Sequence, residues 1–369
     1  MPRAKKYLDV DVVTAARERV EHIYDLFDNT VVMFSGGKDS LACLTLIHDF
    51  HDKWDLGPIT AVFRHEEVIN PSVVEFVEGF RHLDWLNLYW FCLPSLNSKF
   101  SMGKRDSYVE WDPNREWVGE QPEWAITAED LGLPTDGSFS QYNVDDVIAG
   151  YLGLKGKVAH ITGVRASESL VRFRSVTQKL NENYISSIEG NASSRVKLCK
   201  PIYDWETEDV LKFLVDSDVE WCELYEHQEL AGMGLRVSTA LHVAAAKKFD
   251  KLAAVEPGFY QKIVDIFPEM MDQERYWKDY DKEGIIGKYK GDGFDGVLRY
   301  IEDNLTDKDK DQALERVELW RKRNKTDPKN YPIDLLLEHI AFGFIEHRLT
   351  GKYINSKAFK EGNNGSRSD

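Results

Sequence analysis

The segment that most constrains this 369-residue chain is Val31–Leu46, which reads VVMFSGGKDSLACLTL. Residues 30–35 form a short β-branched apolar run, typical of a buried parallel strand, and a helical pattern follows the glycines. Gly36 and Gly37 allow the backbone to turn tightly between the two, with the helix expected to begin near Asp39. Such a turn aims several backbone N–H groups and a helix N-terminus at one place, which predicts an anion site.

The polar side chains of the same turn suit phosphate. Lys38 supplies a positive charge for phosphate oxygens, and the hydroxyl groups of Ser35 and Ser40 can donate hydrogen bonds. Asp39 is a candidate either to hold magnesium or to brace the loop. The GxxxxGK[ST] spacing of kinases and GTPases is absent from this segment, so the pattern indicates a phosphate-binding loop of another kind.

Alternating strands and helices surround this turn. A helix is expected over 11–28 and another beginning at Pro71, and further apolar β-branched or aromatic runs predict strands over 59–64, 86–93 and 157–164. This order is typical of an α/β fold with a parallel sheet covered by helices on both faces. From Asp204 onward the pattern becomes helical, which predicts a helical C-terminal region.

Composition limits the function classes. The chain has 47 Lys+Arg against 63 Asp+Glu, a net charge of −16, so general nucleic-acid binding by the whole surface is not expected. Because no apolar run reaches about 18 residues, no membrane span is predicted, and the N-terminus lacks the apolar core of a signal peptide. We expect a cytoplasmic protein. Its four cysteines contain no CxxC pair, which argues against a disulfide framework, a zinc site or an iron–sulfur cluster.

The motif Ser35–Ser40, SGGKDS, resembles the SGGxDS signature of the PP-loop ATP pyrophosphatases. The resemblance implies the adenine nucleotide alpha-hydrolase-like (HUP, Rossmann-like) fold, with ATP and Mg²⁺ as cofactors. It also implies that the loop holds the departing pyrophosphate while an acceptor oxygen attacks the α-phosphorus, with Lys38 and Asp39 taking part and Asp39 near the magnesium.

A second motif, GVRASESLVRFR after the fourth predicted strand, resembles the phosphoadenosine phosphosulfate (PAPS) reductase-like branch of that superfamily. The resemblance implies that Arg165 contacts the nucleotide phosphates from the side opposite the loop, and that neighbouring residues line the same cleft: Gly163, Glu168, Ser169 and Arg172. It also places Arg64, Glu66 and Glu67, at the end of the second strand and just after it, near the nucleoside. The later element KPIYDWETED recurs in this branch, with Asp204 or Thr207 as a helix cap and Arg236 as a further candidate for the site.

A long insertion, residues 94–156, separates the third and fourth predicted strands, and its length predicts short helices and a substrate-covering role. Its segment EWDPNREWVGEQPEW resembles that of immunoglobulin-binding regulator A (IbrA)-type proteins of phages and mobile elements. Its tryptophans, Trp111, Trp117 and Trp124, are suited either to stacking on a base or to packing a loop that lacks a core. The IbrA-type resemblance also implies a ParB/sulfiredoxin-like protein partner.

Together these features predict a PP-loop domain over 1–240, a helical region over 241–356 and a disordered tail over 357–369. The predicted function is cleavage of ATP to adenylate and pyrophosphate, with adenylation of an unknown acceptor. One alternative is a sulfonucleotide transferase or reductase that uses a partner's thiol, because no cysteine follows Cys222. Another is a nucleotide-switched regulatory protein. Relatives often form homodimers, so a homodimer is expected.

Overall fold

The computed structural model describes residues 8–133, 144–168, 172–173, 176, 182–188, 194–232, 237–328 and 331–342. Contacts divide the chain into two compact units. The first comprises 1–97 and 107–268, and the second comprises 98–106 and 269–369. The helices up to residue 266 pack with the first unit, and the domain boundary at residue 240 stays a prediction. The predicted tail lies outside the described residues.

The first unit contains a six-stranded sheet whose strands run in the order β3-β2-β1-β6-β8-β7. All neighbouring strands are parallel except β7 and β8. The strands are β1 (Asn29–Met33), β2 (Ile59–Arg64), β3 (Leu86–Phe91), β6 (Val158–Ile161), β7 (Ile185–Ser187) and β8 (Val196–Cys199). The predicted mostly parallel, Rossmann-like α/β sheet is confirmed.

Helices cover both faces of this sheet. The helices of the first unit are α1 (Val12–Leu26), α2 (Lys38–Trp54), α3 (Pro71–Glu78), α4 (Val144–Tyr151), α5 (Thr207–Asp216), α6 (Leu224–Leu230), α7 (Val243–Ala246), α8 (Phe249–Val255) and α9 (Pro257–Ile266). Alternate residues of β1 point to opposite faces, as the period of a strand requires. Val32 packs with the α1 and α2 side, and Val31 packs with the α4 side. Because β1, β2, β3, β6 and β8 run parallel, their carboxyl ends lie at one edge of the sheet. The residues of the predicted site follow these ends.

The insertion begins as a β-hairpin, not as the predicted helices. Its strands are β4 (Leu96–Ser101) and β5 (Lys104–Val109), and they form a separate two-stranded sheet. Met102 and Gly103 both have positive φ angles (43° and 78°), the geometry of a two-residue hairpin turn that matches strand twist. Helix α4 then lies at the end of the insertion. Strands β7 and β8 were not predicted either, because each is only three or four residues long.

Apart from residues 98–106, which belong to the β4–β5 hairpin, the described part of the second unit is helical: α10 (Glu269–Tyr276), α11 (Lys282–Ile286), α12 (Gly293–Asn304), α13 (Asp307–Thr326) and α14 (Ile333–Ala341). Its apolar core includes Val297, Trp320 and Leu336. Among the described residues of the whole chain, no helix is both long and apolar enough to cross a bilayer.

Candidate functional site

The glycine turn after β1 has the tight geometry that its sequence predicts. Gly36 has φ +74°, and a Cβ there would lie 2.7 Å from Val77 and 2.9 Å from Val73 of α3. A side chain at this position is therefore excluded both by the backbone and by its neighbours. Gly37 is the N-cap of α2, which begins at Lys38, one residue before the predicted start.

The two serines of the motif hold this turn closed. The Oγ of Ser40 accepts a hydrogen bond from the Ser35 N–H (3.1 Å) and donates one to the Gly37 carbonyl (2.9 Å). It also lies 3.0 Å from the Ser35 Oγ. Ser35 and Ser40 therefore fix the loop backbone as well as offering hydroxyl groups.

Most N–H groups of this turn have no acceptor among the described residues. Within the described part of the chain, no acceptor binds the N–H groups of Gly36, Gly37, Asp39 or Ser40. The N–H of Lys38 is the exception, since it donates to the hydroxyl of Tyr225 on α6 (2.8 Å). Burial raises the pKa of Tyr225, so its hydroxyl stays neutral. The free N–H groups and the start of a 17-residue helix together favour an anion here.

Three charged side chains meet beside this turn, and we call them the loop network: Lys38, Asp39 and Arg165. One Asp39 oxygen accepts from Lys38 Nζ (3.0 Å), and the other accepts from Arg165 Nε (2.6 Å). Lys38 and Arg165 are buried, with 5% and 3% of their surfaces exposed. The network carries a net positive charge, since it has two cations and one anion.

Arg165 is fixed in place by the chain that follows β6. Its guanidinium also donates to Ser167 Oγ (3.1 Å) and, at 3.4 Å each, to the Trp205 carbonyl and Thr207 Oγ1. Gly163 makes the close approach possible, because a Cβ there would lie 2.5–2.7 Å from backbone atoms of Asp39 and Ser40. These two residues thus connect the end of β6 to the start of α2.

The remaining predicted residues of this motif have structural partners. Glu168 accepts from the Arg165 N–H (3.2 Å) and pairs with Arg172. Ser169 and Arg236 lie outside the described residues.

The predicted caps of α5 are wrong, since Glu206 is the N-cap. Asp204 instead binds both guanidinium nitrogens of Arg19.

Asp39 is positioned by the loop network. Each of its carboxylate oxygens accepts from one cation, Lys38 or Arg165. In the described ranges, no three His, Cys, Asp or Glu side chains form a group that could hold a metal. Bracing the loop and holding magnesium both stay predicted roles of Asp39.

A different charge arrangement lies at the end of β2, and we call it the carboxyl cluster: Arg64, Glu66 and Glu110. Glu110 is buried, and the pKa of its carboxyl is raised well above the ordinary range by burial and by the nearby Glu66. Burial also raises the pKa of Glu66, against the effect of the Arg64 charge. Arg64 makes no hydrogen bond to a described residue. The Arg64 guanidinium thus interacts with two carboxyl groups whose pKa values are raised.

Glu67, next to the cluster, has a structural role. It is fully buried and forms a two-pronged ion pair with Arg115 of the insertion, with one N–O distance of 2.6 Å. It also accepts the N–H groups of Trp111 (2.7 Å) and Val118 (3.0 Å). This one carboxylate therefore anchors the insertion to the end of β2.

The tryptophans of the insertion differ in burial, and stacking on a base stays a prediction for the exposed ones. Trp111 is buried, and its indole donates to the His65 carbonyl (2.7 Å), so it packs the loop. Trp117 and Trp124 are exposed, and the Arg81 guanidinium lies 3.9 Å from the Trp124 ring centre. Burial lowers the pKa of His65, beneath these rings, to about 4, so this imidazole is neutral at pH 7.

The segment 237–239 connects the two charged regions. A Cβ on Gly37 would lie 2.8 Å from Val237, and the Thr239 N–H donates to Glu66 (3.2 Å). Two residues of extended chain span only about 7 Å. The carboxyl cluster therefore lies beside the loop, at the same edge of the sheet, as predicted for Arg64 and Glu66.

The cysteines lie in the protein interior. Cys43, Cys92, Cys199 and Cys222 are all buried, and none of these four forms a disulfide. Burial raises the pKa of Cys43, Cys92 and Cys222, which disfavours the thiolate that reacts with electrophiles.

Comparison with known proteins finds likenesses over part of the chain. Residues 144–273 match the family model described as "Phosphoadenosine phosphosulfate reductase domain". The chain is 26% identical over 238 residues to the protein YbdN of Escherichia coli (strain K12), which covers 62% of this chain and 58% of YbdN.

Solved structures give weaker likenesses. The FMN adenylyltransferase of Candida glabrata, in complex with FMN and an ATP analogue, aligns at a TM-score of 0.40 and 14% identity over 61% of each chain. The PAPS reductase of Candida auris aligns at 0.33 and 14%, over 61% of this chain and 94% of the reductase. This chain thus spans less than two thirds of YbdN and of the adenylyltransferase, and the family match covers the segment with Arg165 but not the loop.

Proposed function

We propose that this protein binds ATP at the loop after β1 and cleaves it between the α and β phosphates, transferring adenylate to an acceptor. The observation that carries the proposal is the set of four N–H groups beside the loop network that have no acceptor among the described residues. Pyrophosphate is a multiply charged anion, so its site needs both hydrogen-bond donors and positive charge. Free N–H donors and the helix N-terminus bind its oxygens, and a net positive network balances its charge.

In this reaction the residues act by position and charge. Lys38 and the loop N–H groups stabilise the charge that develops on the leaving pyrophosphate, and Arg165 steadies the α-phosphate. Asp39 holds the two cations apart and oriented before the nucleotide arrives. Magnesium enters with ATP as the substrate complex, and no step requires a carboxylate of the loop to bind it.

The test is pyrophosphate release from Mg·ATP by Lys38→Ala and Asp39→Ala variants. Both should lose turnover while remaining folded. Lys53→Ala and Asp49→Ala are matched controls, because these residues lie farther along α2 with exposed side chains. A Lys38→Ala protein with full turnover contradicts the proposal.

The second candidate is a sulfonucleotide ligand, favoured by the match of residues 144–273 to a PAPS reductase domain. Because the described cysteines are buried, reduction would need a thiol from a partner. A thermal-shift panel with ATP, AMP, adenylylsulfate and PAPS separates the two. A ligand at 100 times its Kd adds about 2.7 kcal/mol of stability. The strongest stabilisation by Mg·ATP supports adenylation, and the strongest by PAPS contradicts it.

A further inference from the structure

The hydroxyl group of Tyr225, on α6, lies where the N–H groups of the loop converge. Gly37 is the N-cap of α2, so the next three residues, Lys38, Asp39 and Ser40, form its first turn. The N–H groups of a first turn point out of the end of the helix, toward the place where an anion binds. Because the Tyr225 oxygen accepts the Lys38 N–H at 2.8 Å, it lies off the end of α2 and not along its side.

Two further contacts hold the tyrosine against the glycine turn. A Cβ on Gly37 would lie 3.3 Å from the Tyr225 oxygen and 3.4 Å from the Ser35 Oγ. The Nζ of Lys38 lies 5.6 Å from the centre of the Tyr225 ring, within the range of a cation–π interaction. The tyrosine hydroxyl therefore lies among the groups that are expected to bind the anion.

The hydroxyl hydrogen of Tyr225 has no acceptor in the described part of the chain. Only 5% of the residue is exposed, and burial raises the pKa of the hydroxyl, so the oxygen keeps this hydrogen at neutral pH. A buried donor without an acceptor is costly. An anion bound at the end of α2 would supply the acceptor oxygen.

The serine hydroxyl groups of the turn are already engaged with the loop. Ser40 donates to the Gly37 carbonyl (2.9 Å), which leaves Ser35 to donate to the Ser40 Oγ (3.0 Å). Among the described hydroxyl groups at this turn, Tyr225 therefore has the hydrogen that remains for a ligand. Accepting the Lys38 N–H also polarises the tyrosine hydroxyl, which makes it a stronger donor to an anion.

We propose that Tyr225 binds the pyrophosphate group, donating its hydroxyl hydrogen to an oxygen of that group while it accepts the Lys38 N–H; this rests on the proposed cleavage of ATP. The hydrogen bond forms only with a ligand that places an anionic oxygen at the end of α2. Pyrophosphate and ATP do so, whereas the single phosphate of AMP lies at Arg165 in the proposed reaction. Tyr225 therefore favours ligands that carry a pyrophosphate group.

The experiment measures the affinity of inorganic pyrophosphate, and of AMP as its matched ligand, by isothermal titration calorimetry. Tyr225→Phe keeps the ring and removes the hydroxyl, and Tyr151→Phe makes the same change at an exposed position of α4. We expect Tyr225→Phe to bind pyrophosphate about tenfold more weakly than the wild type, because a hydrogen bond to a charged group is lost. Its affinity for AMP should be unchanged, and Tyr151→Phe should match the wild type with both ligands.

A second protein, with 4-aminophenylalanine in place of Tyr225, separates donation to the ligand from support of the loop. Its amino group donates hydrogen bonds but accepts them poorly, so it keeps the proposed contact while weakening the one with the Lys38 N–H. We expect it to bind pyrophosphate within about threefold of the wild type. An affinity as low as that of Tyr225→Phe would show that the tyrosine acts only through the loop, and this overturns the proposal.

Two other results also overturn the contact: equal pyrophosphate affinity of Tyr225→Phe and wild type, and an equal loss of AMP and pyrophosphate affinity. Stabilisation by Mg·ATP is measured in parallel on the same proteins. If the wild type binds pyrophosphate and Mg·ATP while Tyr225→Phe binds them equally well, the tyrosine contact fails and the proposed function stands. If the wild type binds neither, both proposals fail.

Discussion

The ends of β1 and β2 both carry buried charge beside the same edge of the sheet, and they differ in how that charge is balanced. At the end of β1, each oxygen of Asp39 has its own cation, Lys38 or Arg165. At the end of β2, Glu66 and Glu110 face one guanidinium, Arg64, and their pKa values rise. The two regions therefore differ in charge balance, and the carboxyl cluster is the one whose charge changes with pH and with any ligand that supplies a donor.

Breaking the one fully paired carboxylate near β2 should have the largest effect. Glu67→Ala leaves the Arg115 guanidinium and two N–H groups without their acceptor. We expect a loss of about 3–5 kcal/mol in the free energy of unfolding, measured by urea denaturation. Glu116→Ala, at an exposed neighbouring position, should change stability little. A stable Glu67→Ala protein would show that the insertion is held by other contacts.

Gly163→Ala tests the loop region in the same way. The added Cβ meets backbone atoms of Asp39 and Ser40, which cannot move as a flexible side chain can. We expect a loss of about 1–3 kcal/mol in unfolding free energy and weaker Mg·ATP binding. Gly150→Ala in α4 is the control, because a Cβ there meets no atom within 4 Å and should stabilise by about 0.4–1 kcal/mol. Equal effects in the two variants would argue against the close approach.

The carboxyl cluster should make stability depend on pH. A carboxyl whose folded pKa is raised favours folding below its unfolded pKa, and this stability is lost as the pH rises through the folded pKa. We therefore expect the wild type to lose stability above the ordinary glutamate pKa of 4.5, by up to about 1.4 kcal/mol per pH unit for each proton. Glu110→Gln should flatten this slope, since the amide cannot ionise and can still accept from Asn97.

The measurement is urea denaturation at a series of pH values. Glu120→Gln serves as the control, because 91% of the Glu120 side chain is exposed. If the slope is the same in Glu110→Gln and wild type, the cluster does not titrate in this range.

The smallest effect is expected at Tyr225. Tyr225→Phe removes the acceptor of the Lys38 N–H and should lower the free energy of unfolding by about 1 kcal/mol. Tyr151→Phe, at an exposed hydroxyl, should have no effect. If both variants match the wild type, the contact between α6 and the loop contributes nothing to stability.

The sequence predicts the loop well because its information is local. Strand β2 has the predicted bounds, and the turn, the glycines and the helix start fall within one or two residues of prediction. The contact of Tyr225 with Lys38 joins residues 187 positions apart, and no local pattern indicates it. The second cation on Asp39 likewise comes from a distant residue, Arg165.

Local sequence predicts only two of the three residues of the carboxyl cluster. Arg64 and Glu66 follow β2, so the rule that ligands bind at strand carboxyl ends finds them. Glu110 reaches the cluster only through the β4–β5 hairpin, whose Met-Gly turn lacks the usual Asn-Gly signal.

The pairing of β1 with β6 has a consequence for biogenesis. Asn29 pairs with Val158 and Val32 with Ile161, while β2 and β3, on the other side of β1, are made much earlier. A growing chain therefore carries one unpaired edge of β1, rich in valine, until its partner strand is synthesised. Exposed apolar edges of this kind recruit other chains. A fragment that stops at residue 133 should aggregate on expression, and one that extends through β8 should not, because β1 and β6 are then paired on both sides.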